Sequence, residues 1–164
     1  MAQMDSQRGA DREAARAAES DLVREMGLLV KAAGGVEQRI DAALRARCGI
    51  HHTMFEVLIE LCRKPGEGLS QRALGAELVL TSGGVTRLID RMEEVGLVRR
   101  RPSPTDRRVT VVTATARGCE VFVQAAAVHA EVVQEYLVKP VASGDYTTLV
   151  RALNAISDAV GGDA

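Results

Sequence analysis

Apolar residues recur at every third or fourth position along most of the chain, a spacing typical of amphipathic helices. Residues 1–20 carry no large apolar side chain after Met4, so we expect a flexible, frayed arm there or the exposed start of a helix. Residues 22–44 form one long apolar stripe, which predicts a long helix weakened at Gly34 and Gly35. Further stripes predict helices over residues 53–63, 70–79, 82–94, 115–139 and 145–160.

The helices predicted at residues 70–79 and 82–94 form a closely spaced pair. Ser70 suits the N-cap of the first, because its hydroxyl can accept a hydrogen bond from a free backbone N–H. Leu80 and Thr81 break the helical pattern, and Gly96 ends the second helix. Two short helices joined by a turn of about three or four residues are the signature of a helix-turn-helix.

The period of the pattern changes from helical to alternating after this pair. Residues 98–101 and 108–113 are strand-like, and the alternation puts Val111 and Val112 on opposite faces of the second strand. The loop 102–107 between them is polar and rich in turn-forming residues. A β-hairpin directly after a helix-turn-helix is a wing. We therefore predict a mainly α fold with a small β-hairpin wing, a winged helix-turn-helix.

The overall charge conceals a basic segment. The chain has 21 basic and 22 acidic residues, a net charge of −1, which argues against a non-specific polycation. Residues 70–117 nevertheless hold nine arginines against five acidic residues, which leaves a net −5 on the rest of the chain. Basic charge gathered on the winged element suits a phosphate-binding surface. A content of only 2% aromatic residues argues against a single-strand binder that stacks on bases.

The helix predicted at residues 82–94 has the composition of a DNA-recognition helix. Its start consists of small and hydroxyl-bearing residues: Thr81, Ser82, Gly83 and Gly84. Such residues allow the backbone N–H groups and the helix dipole to approach a phosphate. The alternative is that the glycines lie in a turn and the helix starts later. Thr86 and Arg87 lie opposite the apolar face, where they can reach base edges or phosphates.

The predicted hairpin loop carries Asp106, Arg107 and Arg108 behind two prolines. An arginine at a hairpin tip can enter the minor groove, whose negative potential attracts it. Asp106 subtracts positive charge, so we interpret it as a partner that orients a nearby arginine. The alternative is a solvated charged turn. The arginines at 99–101 alternate faces, so at least one of them should serve packing or solubility instead of DNA binding.

Taken together, these segments resemble the MarR (multiple antibiotic resistance regulator) family of winged helix-turn-helix repressors. The matching stretches are LSQRAL at 69–74, VTRLIDRME at 85–93, GLVRR at 96–100, DRR at 106–108 and TARG at 115–118. A helix-turn-helix alone is not specific, whereas this combination is. The long flanking helices also match, so the resemblance covers about residues 22–160.

The resemblance implies a homodimer on a pseudo-palindromic operator in double-stranded DNA, with the helix at 82–94 in the major groove. It also implies that Arg108 reaches the minor groove and that Asp106 braces the wing. The DNA-binding residues expected on these grounds are Ser70, Gln71, Arg72, Thr81, Ser82, Gly83, Gly84, Thr86, Arg87, Arg91, Asp106, Arg107 and Arg108.

Three regions follow from this reading. We expect a flexible N-terminal arm over residues 1–20, a DNA-binding domain over 51–117, and a helical dimerisation region made of 21–50 and 118–164. One wing and one recognition helix cover only a short half-site, so twofold symmetry lengthens the site that is read. The terminal apolar stripes exceed what a small winged domain needs, although an intrachain core explains part of each.

The resemblance also points to an effector. Members of the family often sense small, commonly anionic aromatic molecules between the dimer helices and the DNA-binding lobe. His51, His52 and Met54 fall near that junction, together with Arg39 or Arg47, and are our candidate effector-binding residues. Adjacent histidines before a helix also serve as capping or solvated groups, or as a pH sensor.

Cys48, Cys62 and Cys119 are odd in number and widely separated, which fits neither a disulfide framework nor a tetrahedral zinc site. A zinc site that combines Cys48 with the adjacent histidines lacks an evident fourth ligand. Cys62 and Cys119 fall on or beside apolar stripes, so we expect inert core thiols instead of redox sensors. We expect neither a metal nor another cofactor.

Other classes of function find little support. The chain has no nucleophile elbow, phosphate loop or zinc-protease motif, so we expect a protein that is not an enzyme. No apolar stretch approaches the roughly 18 residues of a membrane span, and the start of the chain lacks the apolar core of a signal peptide, so we expect a cytoplasmic protein that binds no membrane. The expected function is a ligand-responsive repressor. The alternative is a winged-helix module that contacts another protein.

Overall fold

The computed structural model describes residues 2–64, 66–78, 80–103 and 108–161, with side chains from Gln7 onward. Its helices are α1 (Ala2–Ala18), α2 (Asp21–Cys48), α3 (His52–Arg63), α4 (Gln71–Glu77), α5 (Ser82–Glu94), α6 (Ala116–Val133) and α7 (Ser143–Gly161). Strands β1 (Val98–Pro102) and β2 (Thr110–Ala114) form an antiparallel hairpin between α5 and α6. The predicted fold class, mainly α with a hairpin wing, is confirmed.

The chain divides into two compact units, of which the first ends at Gln38 and holds α1 and the beginning of α2. Residues 2–18 are helical, in agreement with the alternative of an exposed helix start, and the flexibility of this arm stays a prediction. Alanine and arginine supply nine of its 17 residues, and both favour helix even without burial. Gly34 and Gly35 do not interrupt α2, because the strong helix formers around them continue the hydrogen-bond ladder. The large apolar side chains of this unit that remain exposed are Leu22, Val23, Met26, Leu28, Leu29 and Val30.

The second unit, Arg39–Ala164, has α3 at its centre. This helix packs against α6 and β2, and it buries Phe55, Val57 and Leu58 almost completely. The core is completed by Leu44, Leu74, Val85, Ile89, Met92, Val98, Val112, Ala125 and Val128. This core draws on the end of α2, on α3 to α6 and on the hairpin, so it holds the helix-turn-helix and the wing in one body.

The helix starts and stops follow the local signals in the sequence. The Ser70 hydroxyl accepts a hydrogen bond from the Ala73 N–H at 3.1 Å, as an N-cap does. Thr115 caps α6 in the same way through the Gly118 N–H at 2.9 Å. Gly96 ends α5 with a φ of 72°, a left-handed conformation that favours glycine. These predicted boundaries are confirmed.

The hairpin departs from the predicted alternation. Val111, Val112 and Thr113 are all buried, so both faces of β2 are covered. Leu69, just before α4, pairs with Val112: the Leu69 N–H donates to the Val112 carbonyl at 3.0 Å, and the Val112 N–H donates to the Leu69 carbonyl at 2.8 Å. This backbone bridge and the packing of α3 against β2 bury residues that a free-standing hairpin would expose.

The C-terminal region contains the predicted break and a second exposed apolar face. Helix α6 continues into one π-helical turn, Gln134–Val138, and Pro140 follows it. Helix α7 has no buried residue, and Ile156 and Val160 are 49% and 77% exposed. None of the helices in the described part of the chain is both long enough and apolar enough to cross a membrane.

Candidate nucleic-acid interface

Helices α4 and α5 approach each other closely at a glycine. A Cβ on Gly75 would lie 3.1 Å from Val85 Cγ2 and 3.4 Å from the Leu80 carbonyl oxygen. A side chain at this position would therefore push the two helices apart. Sequence reasoning missed this contact, although an unexplained glycine inside a short helix was its visible signal.

Helix α5 presents one face to the core and the other to solvent. Val85, Ile89 and Met92 are buried, whereas Thr86 and Arg87 are exposed. This confirms the amphipathic pattern predicted for residues 82–94, and it leaves the face that carries the predicted DNA contacts open.

Helix α5 begins at the residues that the sequence predicted. The Thr81 hydroxyl accepts a hydrogen bond from the Gly84 N–H at 3.2 Å, so both glycines lie in the first turn of the helix, and the alternative of a later helix start is wrong. Thr81, Ser82 and Gly83 are exposed, and a Cβ on Gly83 would meet no atom within 4 Å. The backbone at Ser82 and Gly83 is therefore open to solvent, whereas the Gly84 N–H is engaged by the cap.

Three arginines on α4 and α5 carry positive charge to the surface. Arg72 on α4 and Arg87 and Arg91 on α5 are exposed. Within the described ranges, none of the three forms an ion pair with an acidic side chain. Their charge is therefore not neutralised inside the protein and suits a phosphate.

Arg100 has a different role, which ties β1 to α5. Its guanidinium pairs with both Asp90 and Glu93, and its backbone N–H donates to Glu93 Oε1 at 2.8 Å. That backbone hydrogen bond, followed by the guanidinium contact, lowers the pKa of the Glu93 carboxyl. The prediction that one of the arginines at 99–101 serves packing is confirmed by Arg100, which is only partly exposed.

Gln71 also contacts Arg100 and so joins Asp90 and Glu93 in one group of side chains, the Arg100 cluster. With the amide oxygen turned toward the guanidinium, Arg100 donates to it at 2.8 and 2.9 Å. The structure thus places this predicted DNA-binding side chain beside the wing strand, where its oxygen is already engaged.

The rest of the wing is partly described. Arg99 and Arg108 are exposed, whereas Arg101 lies back against the α3–α4 turn and donates to the Gly66 carbonyl oxygen. Asp106 and Arg107 lie outside the described residues. The Asp106 brace therefore stays a prediction.

A cavity of about 350 Å³ lies behind α5, and it is rich in arginine. Arg45 from α2, Arg91 from α5 and Arg117 from α6 line it. The remaining lining residues are Cys48, Gly49, Ile50, His51, Met54, Val95, Leu97 and Val121. Guanidinium groups around an apolar floor suit an anion that has an apolar body.

Two of the three predicted effector residues line this cavity. His51 and Met54 do so, whereas His52 does not. His52 points into a ring cluster instead, 6.4 Å from the Phe55 ring and 6.2 Å from the His129 ring. Its backbone N–H donates to Asp41 at 2.9 Å, and this hydrogen bond is the main reason why the pKa of the Asp41 carboxyl is lowered.

The two arginines considered for the effector site are engaged elsewhere. The Arg39 guanidinium lies 5.1 Å from the centre of the Tyr136 ring, and Arg47 pairs with Glu131 on α6. Arg45 and Arg117, which line the cavity, were missed. They come from helices that the sequence separates widely, so no local pattern marked them.

His129 was also missed, and it completes the ring cluster. Its ring lies 5.0 Å from the Phe55 ring, and Phe55 in turn stacks on Phe122 at 5.7 Å. Burial and, secondarily, the neighbouring His52 lower the pKa of His129. Among the described residues, no three histidine, cysteine or acidic side chains are grouped as a metal ion would require.

Comparison with known proteins places this geometry in a family. Residues 48–109 match the model of the MarR family. The HTH-type transcriptional regulator MhqR from Bacillus subtilis is 40% identical over 70 residues, 43% of this chain and 47% of that protein. The match thus spans about half the length of the curated relatives. These relatives are transcriptional regulators and not enzymes, in agreement with the prediction that this chain is not an enzyme.

Two solved structures share the fold over most of the chain. CouR from Rhodococcus jostii, bound to p-coumaroyl-CoA, is 26% identical with a TM-score of 0.76, covering 89% of this chain and 98% of CouR. A MarR family transcriptional regulator from Streptomyces coelicolor, solved in complex with DNA, is 24% identical with a TM-score of 0.74, covering 87% of this chain and 88% of that one. Residues 48–109 thus match the MarR family, and the hairpin wing and flanking helices give the chain the winged helix-turn-helix fold of these MarR family structures.

Proposed function

We propose that the chain is a sequence-specific transcriptional regulator that binds double-stranded DNA. The observation that carries the proposal is the exposed N-terminal face of α5, where Thr86 and Arg87 stand opposite the buried Val85 and Ile89. The regulator from Streptomyces coelicolor that was solved in complex with DNA shares this fold and supports the proposal. A regulator of this kind acts in the cytoplasm, as the sequence led us to expect.

In this proposal α5 enters the major groove with its first turn foremost. The free N–H groups of Ser82 and Gly83 and the positive end of the helix dipole contact a phosphate. Thr86 and Arg87 read base edges, since they lie one turn further along the exposed face. Arg72 and Arg91 flank that face and neutralise phosphates, which positions the protein without reading sequence. Ser70, Gln71 and Gly84 support the two helix starts.

The wing reaches the adjacent minor groove. Arg108 is exposed at the start of the returning segment of the hairpin and inserts there, with Arg107 beside it and Asp106 as the brace. The Arg100 cluster fixes the base of the wing against α5, so that helix and wing engage the two grooves together.

The regulator acts as a homodimer on a pseudo-palindromic operator. Helix α7 leaves Leu153, Ile156 and Val160 exposed, and α2 leaves a further set of large apolar side chains exposed. Exposed apolar faces of this extent suit an interface between protein chains. A second copy of the chain buries them and presents a second recognition helix.

The arginine-rich cavity holds the effector, which we propose to be a small anion with an apolar or aromatic body. Its volume of about 350 Å³ falls within the usual range of about 300–1,000 Å³ for ligand sites. Arg91 belongs both to the cavity and to the recognition helix, so an anion bound there shifts α5. The p-coumaroyl-CoA bound to CouR, an anionic aromatic thioester, supports this class of ligand. In this proposal the bound anion causes the protein to leave its operator. The ligand-free protein therefore acts as a repressor.

The test is a titration of binding against salt. The probe is the duplex upstream of the protein's own gene, complemented by selection from a randomised duplex pool. A regulator that neutralises several phosphates gives a log–log slope of several units, about −0.9 for each phosphate contact. A slope near zero, or failure to select any duplex, contradicts the proposal and favours the alternative, a winged-helix module for protein contacts.

A further inference from the structure

Two of the three cysteines lie side by side in the folded chain. Cys62 and Cys119 are 57 positions apart in sequence, yet their Sγ atoms are 4.0 Å apart, with the Cys62 thiol directed at the Cys119 sulfur. Cys62 lies in the last turn of α3 and is half-buried, whereas Cys119 lies near the start of α6 and is exposed. The expectation of two inert core thiols is therefore wrong for Cys119.

The surroundings of the pair suit a reaction between the thiols better than a metal. No third histidine, cysteine or acidic side chain joins the two sulfurs within the described ranges, so a structural zinc site is not formed there. A cavity of about 440 Å³ opens beside them, with an apolar lining that includes Leu61, Phe122 and Val123. A small molecule can therefore approach the Cys119 sulfur.

We propose that Cys62 and Cys119 are a modification site, at which a small disulfide such as oxidised glutathione converts the two thiols into an intrachain disulfide. The sulfurs are already in contact, and side-chain rotation has to bring them from 4.0 Å to the roughly 2.05 Å of a disulfide bond. The inference goes beyond the proposed function, because it needs no assumption about DNA.

The chemistry proceeds in two exchange steps. The exposed Cys119, as thiolate, attacks one sulfur of the small disulfide, forms a mixed disulfide and releases one thiol. Cys62 then loses its proton to solvent and attacks the Cys119 sulfur, which forms the Cys62–Cys119 bond and releases the second thiol. The two cysteines lose two electrons, and the small disulfide gains them as it becomes two thiols.

The order of the steps follows from the different burial of the two sulfurs. Burial, together with the neighbouring Cys119, raises the pKa of the Cys62 thiol to about 11 in the reduced pair, and burial, the larger cause, still raises it once Cys119 carries the mixed disulfide. Little of Cys62 is therefore a thiolate near neutral pH, so it acts second and the closing step is slow. The rate of closure rises about tenfold for each unit of pH, because the thiolate fraction rises by that factor below the pKa.

The bridge would close a loop that contains the whole helix-turn-helix and wing. Residues 62–119 include α4, α5 and the hairpin, and the disulfide links the end of α3 to the start of α6 at the base of this segment. Closing a long loop stabilises the folded state by restricting the unfolded chain. We expect the oxidised protein to melt roughly 5–15 °C above the reduced one.

The experiment treats the purified full chain with oxidised glutathione and then counts free thiols and maps disulfide-linked peptides. The expected result is one remaining free thiol, at Cys48, and a peptide that links Cys62 to Cys119 within one chain. A Cys62→Ser variant should instead retain glutathione on Cys119, and a Cys119→Ser variant should form no bridge. A Cys48→Ser variant is the matched control and should cross-link as the parent does.

Three results overturn the proposal. One is a parent protein that keeps glutathione on Cys119 at alkaline pH without closing the bridge. Another is a disulfide that includes Cys48 or joins two chains. The third is a closure rate that does not change with pH. Melting curves of the reduced variants establish that each is folded. Because the thiol count does not depend on DNA binding, failure of the disulfide to form leaves the proposed function untouched.

Discussion

Two glycines near helix starts differ in what surrounds them, although the sequence presents them alike. A Cβ on Gly118 would lie 2.0 Å from the Leu97 carbonyl oxygen, whereas one on Gly83 would meet no atom within 4 Å. The Leu97 oxygen cannot retreat freely, because it accepts the Thr115 N–H at 3.0 Å. Gly118 is therefore required by the close approach of the α6 start to the loop before β1.

From this difference we predict opposite effects of alanine on stability. Gly118→Ala should lower the free energy of unfolding by about 2 kcal/mol or more, since backbone has to move. Gly83→Ala, the matched control, should leave the free energy unchanged or raise it by up to about 1 kcal/mol, because alanine favours helix. Urea unfolding at fixed protein concentration measures both. Equal losses in the two variants would show that the contact at Leu97 does not constrain α6.

Arg87 and Arg108 carry the residue-scale prediction for DNA binding. Substitution of either residue by alanine should weaken operator binding by about 1–3 kcal/mol, roughly 5- to 150-fold, while the protein stays folded. Arg87→Ala should also relax the base preference at one position of each half-site, since Arg87 is proposed to read a base edge. Arg16→Ala on α1 removes an equal charge outside the winged element and should leave affinity unchanged. Anisotropy titrations on the selected duplex measure the affinity of each variant. A variant that loses no more affinity than Arg16→Ala refutes the DNA contact assigned to its arginine.

At the scale of elements, the ring cluster between α3 and α6 makes the packing of these helices sensitive to pH. Burial and the neighbouring His52 lower the pKa of His129 below its ordinary 6.5. The unfolded chain therefore binds a proton more readily than the folded one as pH falls below about 6.5. The stability that neutral His129 contributes is fully present above that pH and is lost as pH falls through the lowered pKa.

We therefore predict that the free energy of unfolding falls between about pH 7.5 and about pH 5.5, and that His129→Phe reduces this fall. The reduction should not exceed about 1 kcal/mol, because the ring is only partly buried and solvent screens it. His51→Asn, which removes a histidine outside the ring cluster, is the control. Urea unfolding at the two pH values measures the difference, and parallel pH dependence in the parent and His129→Phe would contradict the role of His129.

The elements that the sequence predicted well are those whose signals are local. Ser70, Thr115 and Gly96 end or begin helices through bonds to residues three or four positions away, so a single sequence window contains the whole cause. Val112 was misjudged because its burial depends on a backbone bridge to Leu69, more than 40 positions earlier, and on the packing of α3 against β2. A pattern within one strand does not contain that partner.

The residues of the candidate site also divide into those that a local pattern predicts and those that depend on distant contacts. Thr86 and Arg87 were placed on the open face of α5 because helical periodicity alone decides it. Arg45 and Arg117 in the cavity, and the contact of Cys62 with Cys119, depend on how α2, α3 and α6 pack, which no local pattern encodes. Those long-range contacts could be identified only from the structure.

At the scale of the whole molecule, the uneven charge and the exposed apolar faces agree with the proposed homodimer on DNA. The winged segment 70–117 is basic, and the remainder of the chain is acidic. Acidic flanking regions would repel DNA, which agrees with the proposal that the winged element contacts the duplex. The exposed apolar side chains of α2 and α7 lie outside residues 70–117 in the sequence, so the proposed pairing of chains uses other residues than the proposed DNA contacts.

The proposed dimer predicts what a charge on α7 does. Leu153 and Ile156 lie on one stripe of this helix and are 40% and 49% exposed, so Leu153→Glu or Ile156→Glu removes no intrachain core. If a second chain covers the stripe, either change places a carboxylate in an apolar interface and should yield monomers with operator affinity reduced at least tenfold. Ala155→Glu adds the same charge off the stripe and should remain dimeric. Sedimentation velocity gives the mass of each variant, and circular dichroism shows that α7 remains helical. A well-behaved dimer of Leu153→Glu would mean that α7 serves something other than pairing.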